Sequence, residues 1–324
     1  MDKIYFTVNG EHYTLTGNDV SPRTTLNDYL RNYLCLHGTK AMCHEGGCGA
    51  CIVSVSQAHP ATKEKRVFSV NSCLVHVLSC HQWDITTIEG VGNRKDGYHT
   101  IQSRLAAFNG TQCGYCTPGW VMNMYSLYSS SSQLSMKQLE NSFGSNMCRC
   151  TGYRPILDAF KSFATDLDDD LKKKIQDVED LDQIKCSKKC ERRCSVVNEE
   201  WCLIDDNQGS LMDVGGKTSR WYKAYTVDDV FKVLTKEGID SYMLVSGNTG
   251  QGVFPLPSEP RIFIDISSIT SLKESYSEGN LVLGAAMTLT EAMALFLKWS
   301  KENEDFIYLK EFYDHLDLVA HVPV

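Results

Sequence analysis

The chain has 324 residues, more than one hydrophobic core ordinarily serves, and its 42% apolar and 22% charged residues are those of a folded protein of two or three domains. A net charge of -8 with no basic stripe argues against a nucleic-acid partner. No stretch nears the ~18 apolar residues of a membrane span, the opening MDKIYFTVNG is not a signal peptide, and fourteen cysteines in metal-ligand spacings without an export signal point to the reducing cytoplasm.

In chain order, residues 4–8 and 12–15 flank Asn9-Gly10, which suits a type I′ turn and predicts an opening hairpin. Thr25, with Asp28 three residues on, caps a helix whose Leu26, Tyr29, Leu30, Tyr33 and Leu34 share a face, and Gly38 is expected to end it. The nine residues Cys43 to Cys51, CHEGGCGAC, follow. Cys43, Cys48 and Cys51 stand at C-x4-C-x2-C spacing, and Gly46, Gly47 and Gly49 let the backbone turn its N–H groups toward a sulfur-ligated cluster. Cys73 supplies a fourth thiol across the gap that plant-type 2Fe-2S loops show. Zinc and buried free thiols are the alternatives, but zinc has no need of three glycines among its ligands. His44, inside the motif, is read as packing or hydrogen-bonding, since a Rieske centre needs two histidines. Strands are expected at 52–55, 67–70 and 84–88, which makes residues 1–90 a small α+β unit resembling the β-grasp of plant-type ferredoxins.

Over residues 91–165 the period becomes helical. Ile101, Leu105 and Phe108 mark one helix; Thr117 and Pro118 form an N-cap and first position for a second, with Val121, Met124, Leu127 and Tyr128 inward. Ser135 with Gln138 boxes the start of a third, and Pro155 opens a fourth carrying Ile156, Leu157, Phe160 and Phe163. Cys113-x2-Cys116 and Cys148-x-Cys150 sit at the ends of these helices, where two pairs can converge on a second 2Fe-2S site. A redox disulfide with two bystander thiols is the alternative.

Residues 166–215 are charged and read as a solvated linker, with Cys186, Cys190, Cys194 and Cys202 as exposed thiols or a third metal site. Residues 216–324 turn α/β: a helix over 227–234, a buried strand over 243–245, then SGNTGQG, whose small residues leave N–H groups free to cradle a phosphate. Strands at 262–266 and 281–283 and a helix over 290–299 follow.

Two cysteine quartets in this order, a linker, then a strand leading into GNT resemble the N-terminal third of the molybdenum-containing flavoprotein hydroxylases, the family of xanthine dehydrogenase and aldehyde oxidase. CHEGGCGAC, GTQCGYCTPGWVMNMY, CRCTGYRPIL and LVSGNTGQG carry the likeness, and further stretches such as GYHTIQSRLAAFNGTQCGYC look more like insect aldehyde oxidases. The resemblance implies a β-grasp 2Fe-2S domain, a four-helix 2Fe-2S domain, a linker and a truncated FAD-binding domain of the PCMH type. It assigns Cys43, Cys48, Cys51 and Cys73 to one cluster, and Cys113, Cys116, Cys148 and Cys150 to the cluster nearer molybdenum. Gln112 matches the glutamine that reaches the molybdopterin, with Cys150 close to the same pterin. Leu244, Val245, Ser246, Gly247, Asn248, Thr249, Gly250 and Gln251 match the loop on the FAD pyrophosphate. Ser246 and Gly250 stand where xanthine dehydrogenases usually carry glycine and glutamate.

The resemblance further implies that an aldehyde is hydroxylated at molybdenum with oxygen from water, and that electrons pass through both clusters to FAD and then to dioxygen. A xanthine dehydrogenase passing electrons from purines to NAD and a free-standing 2Fe-2S carrier are the alternatives. The chain reaches Val324 where the family's second glycine-rich flavin segment is expected. It is therefore expected to lack the molybdenum domain, to be inactive on substrate by itself, and to leave out most contacts of the family homodimer.

Overall fold

A computed structural model describes all residues except Met1, 60–62, 132, 178–208, 217–218, 253, 255–259 and 320–324. Strands β1 (Lys3–Val8) and β2 (Glu11–Thr16) pair antiparallel around Asn9 and Gly10, whose φ values of 52° and 85° are the two positive angles a type I′ turn requires. Ile4, Phe6 and Val8 alternate inward along β1. Strands β3 (Ile52–Ala58), β4 (Lys65–Asn71) and β5 (Asp84–Thr86) complete a sheet in the order β2-β1-β5-β3-β4, in which β1 and β5 run parallel.

The helical segment across this sheet starts as expected and ends early. Thr25 Oγ1 accepts a hydrogen bond from Asp28 N at 3.1 Å and opens α1 (Leu26–Asp28), which widens at once into a π turn, Tyr29–Tyr33. Leu36 N closes the segment on Leu30 O, and Cys35 takes the left-handed φ of 57°, so Gly38 is not the terminator. Gly38 N instead donates to Glu89 Oε1 at 2.7 Å in α2 (Ile88–Val91), the turn that replaces the last part of the strand expected over 84–88.

The second unit packs α3 (Thr100–Ala107), α4 (Thr117–Ser130), α5 (Met136–Asn141) and α6 (Arg154–Lys161) around Trp120, Phe143 and Phe160. The Phe143 ring stacks on Trp120 at 5.3 Å and on Phe160 at 5.0 Å. Ser135 and Gln138 form the expected capping box. The cap of α4 is Cys116, one residue before the expected Thr117, and the Thr117 hydroxyl bonds Thr111 instead, at 2.9 Å.

Among the described residues, two elements fall inside the stretch expected to be linker. Helix α7 (Asp169–Asp177) is started by Asp168, whose carboxylate accepts from Leu171 N at 2.7 Å, and it docks through the buried Leu171. A single apolar anchor among charges carries little periodicity, which is why the run reads as solvated. Strand β6 (Met212–Gly215) is the other. Cys186, Cys190, Cys194 and Cys202 lie outside the described residues.

The remaining sheet has the order β6-β7-β9-β8, with β7 (Arg220–Lys223), β9 (Ile262–Asp265) and β8 (Tyr242–Val245) parallel and α8 (Val227–Glu237) crossing from β7 to β8. The strand expected to be buried is thus an edge: Tyr242 and Leu244 are exposed and only Val245 is fully covered. A hairpin of β10 (Ser275–Glu278) and β11 (Asn280–Leu283) follows, then α9 (Leu289–Glu302) and α10 (Leu309–Val319).

The first hydrophobic core does not stop at the β-grasp sheet. Met212, Val214, Trp221, Val245 and Phe263 belong to the same buried cluster as Ile4, Phe6, Val53 and Val77. Trp221 and Phe263 stack at 5.6 Å, and the buried ring of His76 packs on both, at 5.5 and 5.8 Å. Beside them Lys223 Nζ meets Asp265 Oδ2 at 3.1 Å, with 1% and 0% of their side chains exposed. A charge so deeply buried is tolerated only with its partner in place.

Candidate iron–sulfur centres and flavin loop

The Cys43–Cys51 loop is wound by its glycines. Gly46 and Gly49 take φ of 77° and 66°, as does His44 at 59°, while Gly47 does not need a left-handed conformation. His44 is exposed, so of the two roles expected for it, packing or hydrogen-bonding, packing does not hold. Cys48 and Cys51 are buried, as is Cys73, and Cys43 is half-buried. Asn71 pins the loop: its Nδ2 donates to Gly46 O at 3.1 Å, and its Oδ1 accepts from Cys51 Sγ at 3.6 Å. Glu45 N points at Cys43 Sγ at 3.4 Å.

The four thiols form two touching pairs, Cys43 with Cys48 and Cys51 with Cys73. Within each pair the two thiols are shifted in opposite directions. Burial opposes the Cys43 thiolate, but hydrogen bonds from the Glu45, Cys48 and Gly47 backbone and the Cys48 thiol leave its pKa below the ordinary value, while burial raises Cys48. The hydrogen bond with Cys73, followed by burial, raises Cys51; the same bond lowers Cys73 against burial.

The second quartet repeats the arrangement at helix ends. Cys116 touches Cys148, and Cys113 touches Cys150. Burial, then the Cys148 contact, pushes Cys116 up to about 12; Cys148 falls below its usual value because hydrogen bonds, led by the Thr151 hydroxyl at 3.1 Å, outweigh its burial. The contact with Cys113 raises Cys150. Gly114, Gly152 and Tyr153 turn left-handed around these ligands, at φ of 79°, 67° and 71°. Cys148 is buried, Cys116 half-buried, and Cys113 and Cys150 are exposed, with Gln112 exposed beside them.

A structural zinc ion wants four ligands converging on one point. Among the described residues no three Cys, His, Asp or Glu side chains converge in that way. A 2Fe-2S cluster asks for something else: each tetrahedral iron takes two bridging sulfides and two thiolates, so its four cysteines divide into two pairs. Both quartets have that division, and the residues present fit the group.

The two sites are joined directly. Met147 N donates to Cys48 O at 2.9 Å, and Tyr115 Oη to Ala41 O at 2.6 Å. Gly119 lies so close that a Cβ there would stand 2.1 Å from Gly49 O. Asn123 seals the joint from inside, accepting from Ser69 Oγ at 3.1 Å and donating to Ser142 O at 2.9 Å and Asn146 Oδ1 at 2.6 Å. None of these partners is legible in the sequence: the contacts of Met147, Tyr115, Gly119 and Ser69 span two folded units, and those of Asn123 with Ser142 and Asn146 join residues 19 and 23 apart.

On the other flank lies the loop after β8. Ser246, Gly247, Thr249 and Gly250 are exposed, Asn248 is half-buried, and Gly247 and Asn248 both turn left-handed, at φ of 72° and 58°. Leu244 is exposed on the edge strand, whereas the Val245 side chain is committed to the core, which leaves only its backbone for a ligand. Gln251 lies in the 3-10 turn Thr249–Gly252, with its side chain outside the described residues. Asn248 Nδ2 donates to Leu74 O at 2.9 Å, and a Cβ on Gly252 would stand 2.6 Å from Glu45 Cα. The loop therefore touches both segments that carry the first thiol quartet.

Family profiles match the chain in the same three places: a 2Fe-2S iron-sulfur cluster binding domain at residues 6–81, a 2Fe-2S binding domain at 87–161, and the FAD binding domain in molybdopterin dehydrogenase at 216–324. Indole-3-acetaldehyde oxidase of Zea mays is 34% identical over 349 residues, covering 98% of this chain and 25% of that protein. Probable aldehyde oxidase 4 of Oryza sativa subsp. japonica is 33% identical over 99% of this chain and 41% of its own length, and abscisic-aldehyde oxidase of Arabidopsis thaliana is 34% identical over 98% and 24%. The chain thus spans about a quarter to two fifths of the length of the relatives it matches. It belongs to the molybdenum-containing flavoprotein hydroxylases and carries the two iron–sulfur domains and flavin-binding sequence of that family.

Proposed function

We propose that this chain is the electron-relay portion of an aldehyde oxidase-like enzyme of the cytoplasm. Cys43, Cys48, Cys51 and Cys73 hold one 2Fe-2S cluster and Cys113, Cys116, Cys148 and Cys150 a second, while the backbone of residues 244–251 receives the pyrophosphate of FAD. The observation that carries this reading is the order of the parts in space. The Cys43–Cys51 loop has the second quartet on one flank, through Met147 N on Cys48 O, and the loop after β8 on the other, through Gly252 on Glu45.

When bound, the clusters and flavin supply one-electron steps between a molybdenum centre, where an aldehyde becomes a carboxylic acid, and dioxygen. The chain's own residues fix the distances. Asn71 and the left-handed glycines hold the first thiols inward, and the joint at Gly49 and Gly119 keeps the two quartets adjacent. Gln112 and Cys150, both exposed at the outer end of the second quartet, are the residues that meet the pterin of the molybdenum cofactor. The relatives' names favour aldehydes over purines as substrates.

The test is iron, acid-labile sulfide and flavin per chain on anaerobically purified protein, with low-temperature EPR after dithionite reduction. About four irons, about four sulfides and two distinct signals are expected for two such clusters. Zinc without sulfide, or a single signal, would overturn the assignment.

A further inference from the structure

The contact between the first cluster's segment and the flavin loop is made by a histidine that no ligand role uses. His76 stands three residues beyond Cys73, 3% exposed, with its ring wedged on Trp221 and Phe263. Its Nε2 lies 3.1 Å from Asn248 Nδ2, the same amide that donates to Leu74 O at 2.9 Å. An amide nitrogen carries two hydrogens, and these two acceptors take both. His76 Nε2 accepts in the Nδ1–H tautomer of the neutral ring, and burial, which depresses its pKa to about 4, keeps the ring neutral at physiological pH.

The geometry of the loop makes this grip consequential. Asn248 holds a left-handed backbone at φ of 58°, directly after Gly247 at 72°, conformations that asparagine and glycine adopt at little cost, so the hold on the Asn248 side chain selects one of several turns open to the loop. Four residues on, Gly252 rests against the Glu45 backbone with no room for a Cβ. The loop is thus held by its own domain at Val245, which pairs with β9, and by the cluster domain at Asn248 and Gly252, while Gly250 has nothing within 4 Å of where a Cβ would lie.

We propose that His76 and Asn248 form a positioning joint through which the first iron–sulfur domain holds the flavin loop in its binding conformation. Flavin affinity is then a property of the two domains together and not of the flavin segment alone. The inference rests on the flavin reading of residues 244–251.

The experiment uses the full chain loaded with both clusters, and compares His76→Phe, which keeps the packing and removes the acceptor, with His76→Gln, whose amide oxygen restores one. Amide hydrogen exchange over residues 246–250 reads the joint without flavin; FAD titration by fluorescence quenching reads affinity; iron content and EPR read the clusters. His76→Phe is expected to speed exchange in the loop about tenfold and weaken FAD about tenfold, as loss of one buried hydrogen bond dictates, with iron and both signals unchanged. His76→Gln should recover most of both losses. Native exchange and native affinity in His76→Phe would overturn the proposal. If that variant loses iron, Gly252→Ala loosens the joint from its other end, and native exchange there would equally overturn it. A parent chain that binds no FAD would sink the flavin reading while exchange still decides the joint.

Discussion

The two thiol quartets have the same pairing and opposite surroundings. Cys48, Cys51 and Cys73 are 3%, 2% and 6% exposed, the Cys51 thiol donates to Asn71 Oδ1, and the Glu45 backbone N–H donates to the half-buried Cys43. In the second quartet only Cys148 reaches that burial, at 5%, and the outer pair, Cys113 and Cys150, faces solvent. Hydrogen bonds to sulfur and exclusion of water are the levers a protein has over cluster potential. The first site sets both with its own fold and its two neighbours, whereas the second sets them on its inner pair alone. The first quartet is therefore part of the architecture, and the second is hung on its edge.

The largest expected effect separates the two. Cys51→Ala should remove one EPR signal and about half the iron and loosen the β-grasp core, because Cys51 is 2% exposed and its thiol bonds Asn71 Oδ1. Cys150→Ala should remove the other signal and leave the melting temperature nearly unchanged. A Cys150→Ala chain that unfolds would erase the contrast. In the native protein an iron chelator should likewise empty the exposed site first, seen as earlier loss of its signal.

Acid should attack the first site's side of the molecule. Burial lowers His76 and His81 to about 4, from an ordinary 6.5, so the unfolded chain takes up protons first as pH falls. Stability is complete above about pH 6.5, is lost progressively down to about pH 4, and the loss amounts to as much as about 3 kcal/mol per histidine. Urea titrations of the metal-free chain at pH 7 and 4.5 measure it, and His81→Gln, whose amide can still accept from Tyr5 N, should halve the drop.

A substitution at the joint should instead blur the comparison. Gly119→Ala puts a methyl 2.1 Å from Gly49 O, and overpacking of this kind costs about 1–3 kcal/mol. Both EPR signals should shift together; a change in one alone would mean that the sites are less tightly joined than the contact implies. The smallest effect belongs to Ser135→Ala, which removes the α5 capping box for about 1 kcal/mol and should move neither signal.

Much of this was legible residue by residue. Cysteine spacing carried both quartets, Asn9-Gly10 the hairpin and Ser135 with Gln138 a helix start, since each is chemistry between near neighbours. What the sequence concealed was decided at longer range. The π turn at Tyr29–Tyr33 looks like ordinary helix by periodicity and ends short because Leu36 bonds back to Leu30. Helix α7 has one buried anchor in a run of charges, and β8, apolar enough to read as central, turned out to be an edge. Helix α10 does carry a local signal, Leu309, Phe312, Tyr313 and Leu316 at helical spacing. His76, Asn123 and Asn146 have no local signature at all, for their side-chain partners lie 19 or more residues away.

The core that runs from Ile4 and Phe6 through Trp221 to Phe263 separates connectivity from cohesion. A protease cut anywhere between Asp177 and Gly209 would leave two polypeptides that still share that core, with Lys223 and Asp265 sealed beside it. Such a nicked molecule should travel as one particle through a sizing column and come apart only when denatured. An attempt to express the flavin segment by itself should yield aggregates, because it would bare Trp221 and Phe263 to water.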